Sequence, residues 1–285
     1  MKKLIYLLLL TFGSTLTAQV QTPQSSPSAK THQKVGLTEL SVEYSRPSMR
    51  GRVIMGELVP YGAIWRTGAN KNTVISFSDA VTFGDQEISA GSYALYTRPG
   101  KDQWEVFFYS STDNWGTPDL WEASKVAAAI EVIPTIGNDI ETFSIWFSNV
   151  HNNGAILNLA WADTRIALPF GVPTKTKVIE SIKKELKKNP NRRTLEKKAD
   201  DYNNAAVYYL EEGLDLNQAK GWMEKAIEGI DDDYGYYRQY SLILKGLNDV
   251  KGAISAAKQS LVLAEKAGNL DYVRLNKEAI QNWSK

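Results

Sequence analysis

Four arginines, Arg46, Arg50, Arg52 and Arg66, fall within 21 positions of a chain that otherwise offers little reactive chemistry. They stand among Gly- and Pro-marked turns, in Tyr44-Ser45-Arg46-Pro47-Ser48-Met49-Arg50-Gly51-Arg52 and in Trp65-Arg66-Thr67-Gly68-Ala69-Asn70. A guanidinium held by a short turn is a planar fork of fixed direction, suited to bidentate capture of a carboxylate, sulfate or phosphate. With Trp65 and Asn70 beside them, these arginines are the candidate site for an anionic ligand. The competing use of the same side chains is internal: pairing with Glu43, Glu57 or backbone carbonyls to pin long loops onto a sheet. Nothing in either stretch has the spacing of a phosphate loop.

Tryptophan is the second resource. Six of the eight tryptophans, Trp65, Trp104, Trp115, Trp121, Trp146 and Trp161, precede Pro173. An exposed indole offers a flat apolar face on which a sugar ring can stack. Trp104, Trp146 and Trp161 sit in strand-like runs and are expected in a core. Trp115 and Trp121, in the irregular stretch Asp113–Glu122, are the candidates for a ligand platform.

Other chemistries lack material. The absence of cysteine removes disulfides, thiol nucleophiles and Cys-ligated metals. The two histidines, His32 ahead of the first expected strand and His151 in an Asn-Asn-Gly turn, form no ligand pair at helical or strand spacing. No nucleophile elbow, phosphate loop or His-Glu-x-x-His motif is present. The sequence therefore assigns no catalytic residue, metal or cofactor and leans away from an enzyme. The alternative is a carbohydrate-binding module, or a hydrolase acting on an anionic or sugar substrate through a carboxylate such as Glu57.

These residues must be positioned by two different kinds of structure. Between Val35 and Phe170, runs of β-branched and aromatic residues alternate with Gly, Asn, Asp and Pro. Leu40, Val42 and Tyr44 alternate with polar neighbours, as in a half-buried strand. Further strands are expected at Thr73–Phe77, Ala80–Phe83, Ser92–Thr97, Trp104–Tyr109, Val126–Val132, Phe143–Phe147, Ala155–Trp161 and Thr164–Pro169. Hairpin turns are expected at Arg98-Pro99-Gly100-Lys101 and Asn152-Asn153-Gly154. About nine short strands without intervening helices indicate an antiparallel β-sandwich or barrel.

After Pro173 the apolar residues recur at helical spacing, as in Val178, Ile182 and Leu186. Asn189-Pro190-Asn191 should close the first helix, and a last one should begin near Leu270. Leu216, Ala219, Met223 and Ala226 map at an offset of 34 residues onto Val250, Ala253, Ala257 and Ser260. Small residues at that period resemble a tetratricopeptide (TPR) hairpin. The stretch Tyr208-Tyr209-Leu210-Glu211-Glu212-Gly213-Leu214-Asp215-Leu216, followed by Ala219, Trp222 and Lys225-Ala226-Ile227-Glu228, looks like such a repeat. The family's Gly-Tyr positions and closing Pro are absent, so the half reads as TPR-like, with a plain helical bundle as the alternative. The fold class is α+β in two domains, the second all-α.

The string Gln33-Lys34-Val35-Gly36, Tyr44-Ser45-Arg46-Pro47, Gly51-Arg52, Leu58-Val59-Pro60-Tyr61-Gly62, Trp65-Arg66-Thr67-Gly68-Ala69-Asn70 and Ala90-Gly91-Ser92-Tyr93 is similar to a bacterial exported family known only as a domain of unknown function, number twenty-nine eleven. The resemblance covers about Ser28 to Phe170. It implies a β-rich domain, a signal peptide and often a tetratricopeptide tail, with no established activity.

Met1 to Lys3 supply positive charge, Leu4 to Leu10 are apolar, and Thr11 to Gln19 turn polar and small, the pattern of a secretory signal peptide. The expected organisation is a signal peptide over 1–18, a flexible leader over 19–29, a β-sandwich over 30–171, a basic helical connector over 172–198 and a TPR-like domain over 199–285. Lys+Arg 33 against Asp+Glu 32 gives a net charge of +1, so no chain-wide field points to nucleic acid. Lys175–Lys198 carries ten basic and three acidic residues, while Ala199–Lys285 carries ten basic and fourteen acidic. The expectation is an exported protein, periplasmic or extracellular, with no membrane span after signal cleavage. Its β-domain would take a small anionic or sugar ligand and its helical domain a protein partner.

Overall fold

Alternation of apolar and polar side chains builds the first half of the molecule. In the computed structural model, which describes residues 22–187 and 194–285, Leu40, Val42 and Tyr44 are buried while Ser41 and Glu43 face outward. Ten antiparallel strands form two sheets. The six-stranded sheet runs in the order β1 (Ser28–Val35), β2 (Thr38–Ser45), β3 (Thr73–Phe77), β6 (Gly91–Arg98), β7 (Trp104–Tyr109) and β8 (Val126–Val132). The four-stranded sheet is ordered β5 (Gln86–Ile88), β4 (Val81–Phe83), β10 (Gly154–Gly171) and β9 (Thr135–His151). Leu40, Ile75, Leu95 and Phe108 from one sheet and Phe83, Ile145, Leu159 and Leu168 from the other share a single buried cluster, so the sheets form a sandwich. Phe83 bridges them, its ring centroid 4.8 Å from that of Phe108 and 5.5 Å from that of Phe170.

Both expected hairpins are present: β6 joins β7 across Pro99-Gly100, and Gly154 pairs with His151 at the β9–β10 turn. Three features differ from the sequence reading. β1 starts at Ser28, within the expected leader, and places His32 inside a strand instead of ahead of it; its inward residues Ala29, Thr31, Gln33 and Val35 mix apolar with polar, so little alternation marks it. The three-residue β5 is too short to carry a pattern. The segments Ala155–Trp161 and Thr164–Pro169 are one strand, interrupted in its pairing at Ala160, Ala162 and Thr164, where Ala162 has φ 51°.

The second half is helical: α1 (Thr174–Leu186), α2 (Leu195–Glu211), α3 (Leu216–Gly229), α4 (Tyr234–Gly246), α5 (Val250–Ala267) and α6 (Leu270–Trp283). Thr194, Asp215, Asp233, Asp249 and Asn269 cap α2 to α6 by accepting backbone N–H bonds in their first turns. Gly268, at φ 72°, ends α5. α2 packs on α3, α3 on α4, α4 on α5 and α5 on α6. Ala219, Met223 and Ala226 of α3 and, 34 residues on, Ala253, Ala257 and Ser260 of α5 are all fully buried where neighbouring helices meet. The chain divides into two compact units after Thr174. The signal-peptide residues and the Asn189-Pro190-Asn191 break lie outside the described residues. No described helix is long and apolar enough to cross a membrane.

Candidate functional site

The turn-rich segment between β2 and β3 carries all four arginines, and the fold sends them to four places. Arg46 donates through Nε to the Phe143 carbonyl at 3.0 Å and through Nη2 to Ser144 Oγ at 2.8 Å, tying the segment to β9. Arg50 donates to the Ser25 carbonyl at 2.9 Å, while its backbone N–H reaches Glu141 Oε1 at 3.0 Å. Arg52 closes its own turn on the carbonyls of Met49 and Ser48. Arg66 lies beside Gly116, and its buried Nε has no hydrogen-bond partner among the described residues. The acceptors are therefore mainly backbone carbonyls, and Glu43 pairs instead with Lys30 at 3.7 Å across β1 and β2.

The Trp65–Asn70 turn is locally strained. Thr67 (φ 55°) and Asn70 (φ 58°) occupy the left-handed region, which is unusual for a β-branched residue such as Thr67. Compensation comes from packing and hydrogen bonds. Trp65 exchanges backbone bonds with Thr97, extending the sheet where β3 has ended. Its indole stacks on Trp161 at 5.8 Å and donates Nε1–H to the Gly68 carbonyl. Thr67 is fully buried and donates to Thr97 Oγ1. Asn70 reaches the Ser26 carbonyl at 3.2 Å and Ser45 Oγ at 3.3 Å.

This turn forms one wall of a groove of about 400 Å³ on the outer face of the six-stranded sheet. Glu43, Val74 and Ser92 lie on its floor, Asn70, Lys71 and Asn72 on one side, and Trp115 rises beside them. Asn72 is buried and positions the tryptophan: Asn114 N–H donates to Asn72 Oδ1 at 2.9 Å, and Asn72 N–H donates to the Asn114 carbonyl at 3.1 Å. Below the loop, Tyr96 OH donates to the Gly116 carbonyl, and burial pushes the Tyr96 hydroxyl above its ordinary pKa. Trp115 is left 76% exposed. Lys71 pairs with Asp113 at 2.8 Å and holds that exposed carboxyl below the usual range.

Trp121, the other expected platform, packs against the outer face of β6 and β7. It stacks on Tyr109 at 4.8 Å and meets Tyr96 and Phe107 edge-on, within a second apolar cluster that also contains Ala94. Of the sequence candidates, only Asn70 and Trp115 line the groove. Lys71 and Asn72 follow Asn70 directly but carry no motif of their own, and Asn114 gains meaning only once the fold pairs it with Asn72. His32 meets Glu39 Oε2 at 3.0 Å on the sheet surface. No group of three metal-ligating side chains occurs among the described residues.

Two antiparallel sheets carrying a strained, aromatic-flanked turn, followed by successive helical hairpins, define a two-part α+β protein. The chain belongs to the family described as "Protein of unknown function (DUF2911)", whose model matches residues 26–170, just over half of its length. Every candidate site residue lies within that match, and the helices lie beyond it. No curated protein matches the chain.

Proposed function

We propose that this is an exported binding protein whose β-domain takes a carbohydrate-type ligand in the Trp115 groove. The observation that carries the reading is an indole 76% exposed, on a loop whose Asn114 backbone is held by Asn72, beside a groove of about 400 Å³. A tryptophan that contributes nothing to the core costs an exposed apolar face, and a face of that kind suits a pyranose ring. Ser92, Asn70 and Glu43 line the groove with polar groups, Ser92 Oγ bonded to Ser76 Oγ and Asn70 Nδ2 to the Ser26 carbonyl, so a hydroxyl-rich ligand meets chiefly their acceptor oxygens. The Arg46, Arg50 and Arg52 guanidiniums already donate to the protein's own oxygens, which weakens an arginine-cluster anion site. The helical hairpins supply the exposed helix faces through which such arrays meet protein partners. Export is supported by the tripartite leader pattern of the first 18 residues.

The test is a glycan titration followed by tryptophan fluorescence. The protein should respond to at least one oligosaccharide class, and Trp115→Ala should abolish that response without lowering the melting temperature. A Trp115→Ala variant that retains full glycan binding overturns the reading.

A further inference from the structure

We propose that the Trp115 groove prefers acidic sugars, with Lys71 as the receptor for the sugar carboxylate and Asp113 as a built-in competitor that occupies Lys71 in the free protein. The inference rests on the carbohydrate reading of the groove and specifies its ligand class. Among the described residues lining the groove, Lys71 is the one cation and Glu43 the one carboxylate. The Glu43 charge is met from the neighbouring strand by Lys30, with Oε2 and Nζ 3.7 Å apart. Lys71 is met at 2.8 Å by Asp113, whose side chain is 94% exposed and projects from the loop that carries Trp115. The Asp113 carboxylate therefore marks a place, on the loop that carries the indole, where a negatively charged oxygen sits on the Lys71 ammonium.

Exchange of that carboxylate for one from a ligand is inexpensive. An ion pair this exposed contributes little to stability. The loop backbone is anchored by the Asn72–Asn114 bonds rather than by Asp113, so rotating the Asp113 side chain into water leaves that anchor in place. Arg66, beside Gly116 at the base of the same loop but not lining the groove, carries a buried Nε with no hydrogen-bond partner among the described residues. A uronic acid stacked on Trp115 can place its carboxylate where Asp113 now sits. A neutral sugar gains the stacking alone.

The experiment uses the full chain and a panel of matched oligosaccharides, each uronate-containing member paired with its carboxyl-reduced neutral twin. The wild-type protein should bind the uronate member more tightly, and the preference should shrink as salt is raised. Asp113→Asn should strengthen uronate binding by about two- to fivefold and leave the neutral twin unchanged. Lys71→Gln should make the two twins equivalent, with near-ultraviolet CD showing that the fold is intact. Equal binding of both twins by the wild-type protein, a preference that survives Lys71→Gln, or weaker uronate binding by Asp113→Asn each overturns the inference while leaving the carbohydrate reading in place. Failure of the wild-type protein to bind any member overturns both.

Discussion

The arginines in the β2–β3 segment illustrate how one residue type differs in structural weight according to what surrounds it. Arg46 is half-buried and makes two charge-assisted bonds to β9, whereas Arg52 is exposed and bonds only within its own turn. Removing Arg46 leaves the Phe143 carbonyl without that donor, so Arg46→Ala should cost about 1.5–3 kcal/mol of stability. Arg52→Ala should cost under about 0.5 kcal/mol. Paired denaturant unfolding curves check both, and equal effects would remove the distinction. The positions of these arginines were legible in the sequence because Gly and Pro punctuate the segment. Their acceptors were not, since a backbone carbonyl 97 residues away leaves no mark in the string. Trp115 was legible as an indole in an irregular stretch, but what separates it from Trp121 is Tyr109, Tyr96 and Phe107, which the fold brings to only one of them.

Individual strands and helices were readable to the extent that one face is apolar. Thr73–Phe77, Trp104–Tyr109 and Val126–Val132 occupy the spans that their alternation predicts. β1 eluded the same criterion because its inward face, Ala29, Thr31, Gln33 and Val35, is itself partly polar, which an edge strand tolerates. The opposite edge shows another device without a sequence signature: Gln86 donates to the Ala129 carbonyl and accepts from the Ala129 N–H, closing part of the free edge of β8. In α4, two tyrosines create a pH-dependent element. Burial, followed by donation to Asp200 from Tyr236 and to Glu224 from Tyr240, pushes both hydroxyls above the ordinary value of about 10. The unfolded chain releases these protons near pH 10, whereas the folded one retains them. Their stabilisation is therefore complete below about pH 10 and is lost as the pH rises through the folded values. Tyr240→Phe should lower stability at neutral pH, through loss of the Glu224 bond, and make the alkaline decline of the helical CD signal shallower by up to one proton. An unchanged alkaline slope would show that Tyr240 does not contribute.

At the scale of the molecule, each buried cluster draws its residues from one unit: the sandwich core and the Trp121 cluster from the strands and their loops, and the alanine-rich clusters from α2 to α6. Two cores with no shared members should unfold as two transitions that substitutions move separately. The β-unit has a sensitive point where two hairpins meet. Gly36, at φ 55° in the β1–β2 turn, leaves no room for a side chain: a Cβ there would lie 2.2 Å from the Asn152 carbonyl oxygen of the β9–β10 turn and 1.9 Å from Thr174 Oγ1. Gly36→Ala must displace backbone as well as adopt a strained conformation, so it should cost more than about 2 kcal/mol. In the helices, Ala257 is fully buried, and Ala257→Leu forces the packed helices apart at a cost of about 1–3 kcal/mol. With Trp222→Phe and Trp283→Phe removing the indoles of the helices, buried Trp104 and Trp161 report on the first unit through fluorescence, and far-ultraviolet helical CD reports on the second. Gly36→Ala should shift the fluorescence transition alone and Ala257→Leu the helical one alone. If either substitution moves both transitions together, the strands and helices form one cooperative unit, and the sandwich and the helical array are a single energetic system.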